Sequence, residues 1–274
     1  MLRSDKDLKT LKIGAVNGTI GGVKDFYFDD DAWAVRYVVV DTGFWLGREV
    51  LISPFSTGTP DWDRHILPVT VTKEQVRHCP LIDTDKPVSR QHETSYLGYY
   101  GYPLYWGGNG LWGEGAYPGS MLEGAQSGAS DLAYANALAA NDRAAHTDEQ
   151  RRRAHEDPHL RSCNAVVGYH IHAMDGDIGH VHGFLIDERT WGVQYLIVHT
   201  SNWWLGHTVL VPPAWIGEVS WEYSKVTVKL NRQQIKDAPT YDPQALLSRS
   251  DEEGIYRHYG HRGYWLDPKQ RAVA

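Results

Sequence analysis

The feature that most constrains this chain of 274 residues is an internal duplication. When Leu160 is placed on Leu2, an offset of 158 aligns the two copies, and a one-residue insertion near Asn202 changes the offset to 159. A repeat of this kind predicts two structural units of the same fold. The identical pairs include Phe26 and Phe184, Trp33 and Trp191, Tyr37 and Tyr195, Trp45 and Trp204, Pro54 and Pro213, and Trp62 and Trp221.

The duplication divides the chain into four parts. Residues 1–106 form the first repeat with an aromatic tail, and residues 160–267 form the second repeat with a corresponding tail. Residues 107–159 are Gly-rich at first, then Ala-rich and finally highly charged, and we predict that they form a linker. A helix is expected in its Ala-rich part, residues 129–145. Residues 268–274 remain as a C-terminal tail.

Each repeat carries signals for short β-strands. Asn17-Gly18 and Asp175-Gly176 are typical hairpin turns, and segments rich in β-branched and aromatic residues follow them. A small open sheet has two exposed edges, which closure into a barrel removes. We therefore expect a mainly β protein with two tandem small barrels of five or six strands each.

A short helix is expected at the C-terminal end of each barrel. Thr72 and Gln75 have the spacing of a capping box, and the second repeat has a counterpart at the same offset. A proline a few residues later limits each helix to one or two turns. These helices are predicted at residues 73–78 and 232–237.

One residue pattern runs through the first repeat and recurs in the second. It comprises Gly18-x-Ile20-Gly21-x-Val23, Phe26, Asp29, Trp33-x-Val35-x-Tyr37, Val38-Val39-Val40, Thr42, Trp45-Leu46-Gly47-Arg48 and Val50-Leu51-Ile52. The pattern resembles the PRC-barrel domain, the family of the cytoplasmic part of the H polypeptide of the bacterial photosynthetic reaction centre and of the C-terminal half of the ribosome maturation factor RimM. The resemblance implies two PRC-type barrels that dock on other macromolecules, and it brings no catalytic residues with it.

Four histidines flank the second hairpin turn and form the one candidate metal site. They are His170, His172, His180 and His182. A turn centred on Gly176 predicts that His170 faces His182 and that His172 faces His180, with all four on one face of the hairpin. Such a face can bind zinc, nickel or copper. The alternative is a solvent-facing hairpin, because the first repeat has lysine or glycine at the equivalent positions.

The aromatic tails are the candidate interface surfaces. Their residues are Tyr100, Tyr102, Tyr105 and Trp106 in the first repeat, and Tyr259, Tyr264 and Trp265 in the second. Tyrosine and tryptophan combine a large apolar body with a polar group and suit such surfaces. Each tail either packs on its own barrel or the other repeat, or binds an external partner. For the tryptophan pairs Trp33 with Trp191 and Trp45 with Trp204, we expect at least one pair to be largely buried.

Composition and motifs exclude several classes of protein. A net charge of −7 argues against a nucleic-acid partner. The sequence contains neither a nucleophile-elbow motif nor a phosphate-binding glycine loop, so we expect no enzymatic activity and no cofactor. The N-terminus lacks the apolar segment of a signal peptide, and no stretch reaches the length of a membrane span. A cytoplasmic protein is therefore expected.

These features together predict a non-enzymatic protein-binding or scaffolding adaptor whose two repeats form an intramolecular pseudo-dimer. One alternative is a metal-binding sensor or buffer that uses the histidines of the second repeat. Another is an accessory protein of a photosynthetic or membrane complex, similar to the H polypeptide of the reaction centre. An enzyme with its site in the cleft between the barrels is the remaining hypothesis, and it requires titratable groups from both repeats to meet in one pocket.

Overall fold

The computed structural model describes residues 1–80, 90–106, 110–124, 160–200 and 206–266. The helix expected at residues 129–145 and the side chain of Trp204 lie outside these residues. The described chain is mainly β, as predicted, and its strands form two separate sheets.

The first repeat consists of strands, with one short helix after the first strand and two helices at its C-terminal end. Its elements are β1 Leu2–Ser4, α1 Asp5–Leu8, β2 Lys12–Ala15, β3 Gly18–Asp29, β4 Ala34–Asp41, β5 Glu49–Ile52, β6 Ile66–Pro68, α2 Lys73–His78 and α3 Arg90–Tyr100. Helix α4, Pro118–Gly124, lies in the segment between the repeats.

The second repeat has the same order of elements, with one additional strand. Its elements are β7 Leu160–Ser162, α5 Cys163–Val166, β8 His170–Ala173, β9 Gly176–Asp187, β10 Val193–His199, β11 Thr208–Val211, β12 Ile216–Ser220, β13 Lys225–Val228, α6 Arg232–Lys236 and α7 Arg249–His258. In the first repeat, the position of β12 is taken by isolated bridges from Thr57 to Val69 and from Asp61 to Ile66.

The two repeats exchange their first strands. Strand β1 leaves its own repeat and pairs antiparallel with β9, with Arg3 opposite Ile186. Strand β7 pairs in the same way with β3, with Arg161 opposite Phe28. The six-stranded sheet therefore has the order β5-β4-β3-β2-β6 with β7 added, and the seven-stranded sheet has the order β11-β10-β9-β8-β13-β12 with β1 added.

The expected closure of each barrel is not complete. In the described part of the second repeat, no ladder joins the end strands β11 and β12, and a 3₁₀ turn at Pro213–Trp215 connects them. Pro212 and Pro213 lack the backbone N–H that a ladder requires, so the hydrogen bonding stops at this corner. In the first repeat, Pro54 begins the corresponding 3₁₀ turn.

The predicted hairpins and helix caps are confirmed. The β2–β3 and β8–β9 hairpins close at Ala15–Gly18 and Ala173–Gly176. Thr72 caps α2 by accepting from the N–H of Gln75, and Asn231 caps α6 in the same way. Helix α2 has the predicted bounds, and α6 ends one residue earlier than predicted. The longer helices α3 and α7, which begin the aromatic tails, were not predicted.

A pair of reciprocal hydrogen bonds lies where the repeats meet. The N–H of Val35 donates to the carbonyl of Trp191 at 2.8 Å, and the N–H of Val193 donates to the carbonyl of Trp33 at 2.7 Å. Each bond is the counterpart of the other under the repeat offset, so the contact is isologous. Trp191 is buried beside Phe26, whereas Trp33 is half-buried, so only one member of this pair meets the burial prediction.

Candidate functional site

His170, His172, His180 and His182, which we call the histidine face, pair in a register that differs from the prediction. His170 lies opposite His180, and His172 lies opposite Asp177, so the predicted pairs of His170 with His182 and His172 with His180 are wrong. The turn residues are Met174 and Asp175, which places His172 opposite Asp177, and a register shift between Ile171 and His172 then brings His170 opposite His180. Of the four predicted histidines, only His170 and His180 therefore face each other across the hairpin.

The structure instead brings a fifth histidine to this face. His199 on β10 lies opposite His180, with ring centroids 5.5 Å apart, and its ring is 6.3 Å from that of His182. His172 Nδ1 is 2.7 Å from Asp177 Oδ1, and His182 Nε2 is 2.8 Å from the Nζ of Lys6. No group of three or more His, Cys, Asp or Glu side chains in the described residues has a geometry that could hold a metal ion.

Electrostatics favour the neutral form of two of these rings. Burial lowers the pKa of His180, and the neighbouring His199 and His170 lower it further. Burial also lowers the pKa of His182, with Lys6 as the next contribution. The face is therefore uncharged at these positions near neutral pH and gains positive charge in acid.

The aromatic tail of the first repeat packs on its own barrel around a buried carboxylate. Glu93 on α3 is 1% exposed and accepts hydrogen bonds from the hydroxyls of Tyr37, at 3.2 Å, and Tyr105. Burial holds the pKa of Tyr37 well above its ordinary value, and Glu93 contributes to the same shift. Tyr105 is thereby attached to strand β4 through α3.

The second repeat contains the same arrangement. Glu252 on α7 accepts from Tyr195 at 3.1 Å and from Tyr264 at 2.8 Å, and Arg249 Nη1 lies 2.8 Å from its other oxygen. Burial raises the pKa of Glu252, while the Tyr264 hydroxyl and Arg249 oppose this shift. Glu93 and Glu252 are identical residues at an offset of 159, so the repeat alignment contained a signal for both.

The remaining tail residues also contact their own repeat. Tyr100 stacks on Tyr102, and Trp265 lies under the guanidinium of Arg249 at 4.3 Å. Tyr259 donates to the carbonyl of Leu210. Of the seven candidate tail residues, Tyr102, Tyr105 and Tyr259 are buried, and Tyr100, Trp106, Tyr264 and Trp265 are half-buried.

The segment that follows the first tail connects the two repeats. Trp112 is fully buried and donates from Nε1 to the carbonyl of Thr190 at 2.8 Å. The guanidinium of Arg36 lies 4.1 Å from the ring centre of Tyr105 and 4.8 Å from that of Trp112. Arg36 is itself buried and paired with Asp29 at 3.2 Å. Sequence reasoning placed Trp112 in a linker and missed this contact.

Among the described residues, the most exposed aromatic side chain lies on a different surface. Phe44 is fully exposed in the loop of residues 43–47, which we call the Phe44 loop. Gly43 and Gly47 bound it with φ of 53° and 67°, in the left-handed region that glycine adopts without strain. Trp45 is half-buried, with the Nζ of Lys73 4.5 Å from its ring centre. The equivalent sequence in the second repeat contains Trp203 and Trp204.

Comparison with known families identifies the first repeat. Residues 3–76 match the family model of the PRC-barrel domain, so the first repeat contains a PRC-barrel domain. This match confirms the resemblance for the first repeat, and the matched residues do not reach the second. PRC-barrel domains are typically non-catalytic and have a general role in protein interaction or scaffolding. No curated protein matches the chain. In the described residues, no helix is long and apolar enough to cross a membrane.

Proposed function

We propose that the protein is a non-enzymatic scaffold in which two PRC-type barrels form one intramolecular pseudo-dimer that binds a protein partner. The observation that carries this proposal is the reciprocal strand exchange, β1 with β9 and β7 with β3. Each repeat contributes a strand to the sheet of the other, so the repeats fold as one unit. A binding surface on one repeat is then held at a fixed position relative to the other.

We further propose that the Phe44 loop contributes to the partner surface. The aromatic tails are engaged in packing around Glu93 and Glu252, so they are poor candidates. The side chain of Phe44 is fully exposed, and aromatic residues, phenylalanine included, are enriched in protein interfaces relative to the rest of the surface. Two shallow depressions flank the loop, and together they include Lys12, Lys24 and Asp41 among their lining residues. An aromatic side chain with charged neighbours suits a partner whose surface has an apolar centre and a polar rim.

The pseudo-dimer is tested by cutting the chain between the repeats. A protease recognition sequence is inserted after Ala140, and the folded protein is cleaved and analysed by size-exclusion chromatography. We expect the two fragments to elute together at the position of the uncut chain and to separate only in denaturant, because strands β1 and β7 cross between them. Separate elution in native buffer would show that the repeats are independent and would refute the pseudo-dimer.

The partner surface is tested with variants of the full chain. Wild type, Phe44→Ser and the control Val16→Ser are immobilised and incubated with an extract of the native source. Val16 is also an exposed apolar residue but lies in the β2–β3 turn. We expect proteins that bind wild type and Val16→Ser and are lost with Phe44→Ser. Equal recovery with all three chains would exclude the Phe44 loop as the binding surface.

A further inference from the structure

The strand exchange creates two junctions, in each of which the short helix after an exchanged strand packs on the long strand of the other repeat. Each junction contains one buried carboxylate, and the two carboxylates stand at different positions of the repeat. In the first junction, where α5 meets β3, Asp25 accepts from Ser162 Oγ at 2.5 Å and from the N–H of Asn164 at 3.0 Å. It also accepts a hydrogen bond from the backbone of Phe26. Asp25 is 7% exposed, and burial raises its pKa.

The second junction, where α1 meets β9, reverses this arrangement. Asp5 on α1 accepts from the N–H of Phe184 at 2.9 Å, and Lys9 Nζ lies 2.7 Å from its other oxygen. Phe184 is the counterpart of Phe26 at the offset of 158. Phe26 and Phe184 are equivalent, and the backbone N–H of each therefore donates to a carboxylate. The acid stands on the strand in the first junction and on the exchanged helix in the second.

The residues that replace each acid are small or uncharged. Gly183 takes the position of Asp25, and Cys163 takes the position of Asp5. A Cβ atom on Gly183 would lie 2.6 Å from Asp5 Oδ1, so this position has no room for a side chain. Cys163 is fully buried near both acids, and burial raises the pKa of its thiol, with Asp25 and Asp5 adding to the shift. Each junction thus contains one carboxylate that accepts a backbone N–H, Asp25 in the first and Asp5 in the second.

From this we propose that the carboxylate distribution makes the exchange surface of each repeat specific for the other repeat and excludes pairing with a copy of itself. The inference rests on the proposed pseudo-dimer. Two first repeats would place Asp25 and Asp5 together at each junction, where two buried carboxylates share one backbone N–H and one ammonium group, that of Lys9. Two second repeats would bring Gly183 against Cys163, which leaves the N–H of Phe184 without its carboxylate acceptor. Only the mixed pair has one acid in each junction.

If a stable pair needs one acid in each junction, one substitution should allow two first repeats to pair with each other. Asp25→Gly leaves Asp5 as the one carboxylate that the first repeat brings to these junctions, so a pair of first repeats would have one carboxylate in each junction. The matched control is Asp25→Asn, which removes the charge and keeps a side chain where a Cβ atom is not tolerated opposite Asp5. Pairs of first repeats should form with the glycine variant and not with the asparagine variant.

The experiment uses the chain cut after Ala140, unfolded and refolded as the complete mixture of both fragments. Native mass spectrometry then counts mixed pairs and pairs of identical fragments. We expect mixed pairs for wild type and for Asp25→Asn, and pairs of residues 1–140 as a major additional species for Asp25→Gly. Pairs of residues 1–140 that are as abundant in wild type as mixed pairs would overturn the proposal, as would their absence with Asp25→Gly.

A second measurement uses the uncut chain and does not depend on fragments. Cys163→Asp adds an acid next to Asp25, and the double variant Asp25→Gly/Cys163→Asp reproduces the arrangement of the other junction. We expect Cys163→Asp to raise the unfolding equilibrium constant roughly 10- to 100-fold, and the double variant to recover most of this loss. The control Asp25→Gly/Cys163→Ala, which supplies no side-chain acceptor at residue 163, should not recover it. Additive losses would overturn the inference while co-elution of the cut fragments still supported the pseudo-dimer.

Discussion

Trp33 and Trp191 hold their backbones in the left-handed region, with φ of 54° and 58°, and each offers its carbonyl to a strand of the other repeat. A bulky residue rarely adopts this conformation, and it persists only where the surroundings enforce it. Here the enforcing contacts are the N–H groups of Val35 and Val193. The strain therefore lies at the centre of the contact between the repeats.

The two tryptophans should differ in their contribution to stability. Trp191 is 1% exposed, contacts Phe26 and donates from Nε1 to Thr57 Oγ1 at 3.1 Å, whereas Trp33 is half-buried on Phe28. We expect Trp191→Ala to lower the free energy of unfolding by about 3–5 kcal/mol. Trp33→Ala should cost less, because less apolar surface is removed from water. Urea denaturation of both variants measures the difference, and equal losses would contradict the assigned burial.

The buried glutamate of the second tail predicts a dependence of stability on pH. Because the folded pKa of Glu252 is raised by burial, its contribution to stability is full below the pKa of the unfolded state and is lost as the pH rises through the folded pKa. Glu252→Gln keeps an acceptor oxygen for Tyr195 and Tyr264 and does not titrate. We therefore expect the free energy of unfolding of wild type, relative to this variant, to fall as the pH rises from 4 to 7.

The control for this experiment is Glu253→Gln. Glu253 is the next residue on α7, is exposed, and provides a matched change of charge. It should leave the pH dependence of wild type unchanged. A difference between wild type and Glu252→Gln that is constant across this pH range would show that Glu252 does not have a raised pKa in the folded chain.

The histidine face predicts the opposite dependence. The pKa values of His180 and His182 are lowered in the folded chain, so the stability that these neutral rings contribute is full above the pKa of the unfolded state, about 6.5. It is lost as the pH falls through the lowered folded pKa. We expect His180→Gln/His182→Gln to lose less stability than wild type between pH 7 and pH 5. Thermal unfolding at each pH checks this, with the exposed His78 changed to Gln as the control.

Sequence reasoning could find the elements of this fold because their signals are local. The hairpins depend on Asn17-Gly18 and Asp175-Gly176, and the caps depend on pairs such as Thr72 and Gln75. It could not find the strand exchange, because Leu2-Arg3-Ser4 and Leu160-Arg161-Ser162 are equally compatible with pairing in either repeat. The choice between the two depends on chain path and on junction contacts, which are non-local.

The contacts of the candidate site residues are also non-local and could not be predicted from local sequence signals. The histidine pairing was wrong because the turn lies at Met174 and Asp175 and is not centred on Gly176, and because a register shift between Ile171 and His172 changes the partner of His170 as well. The aromatic residues of the tails were recognised, but their packing depends on Glu93 and Glu252, which lie in helices α3 and α7 that were not predicted. Only the identity of these two acids across the repeat offset distinguished them.

A tyrosine hydroxyl donates to the same strand carbonyl in both repeats, but the two tyrosines stand four residues apart in the repeat alignment. Tyr96 in α3 donates to the carbonyl of Leu51 at 2.9 Å and accepts from the N–H of Ser53 at 3.1 Å. In the second repeat, the donor to the equivalent carbonyl, Leu210, is Tyr259, whose sequence counterpart is Tyr100. Positions four residues apart lie on one face of a helix, so a hydroxyl can reach the same strand from either position.

This exchange of position predicts which tyrosine hydroxyls matter for stability. Tyr96→Phe leaves the buried N–H of Ser53 without its hydroxyl acceptor and should lower the free energy of unfolding by about 1–3 kcal/mol. Tyr259→Phe removes a single bond to Leu210 and should cost about 0.5–1.5 kcal/mol. The control is Tyr99→Phe, whose exposed hydroxyl donates to Gln75 and should contribute less than either. Urea denaturation ranks the three variants. If Tyr99→Phe lowered the free energy of unfolding as much as Tyr96→Phe, the exposed hydrogen bond of Tyr99 to Gln75 would stabilise helix α3 as much as the buried bonds of Tyr96 to strand β5 and Ser53. That result would contradict the prediction.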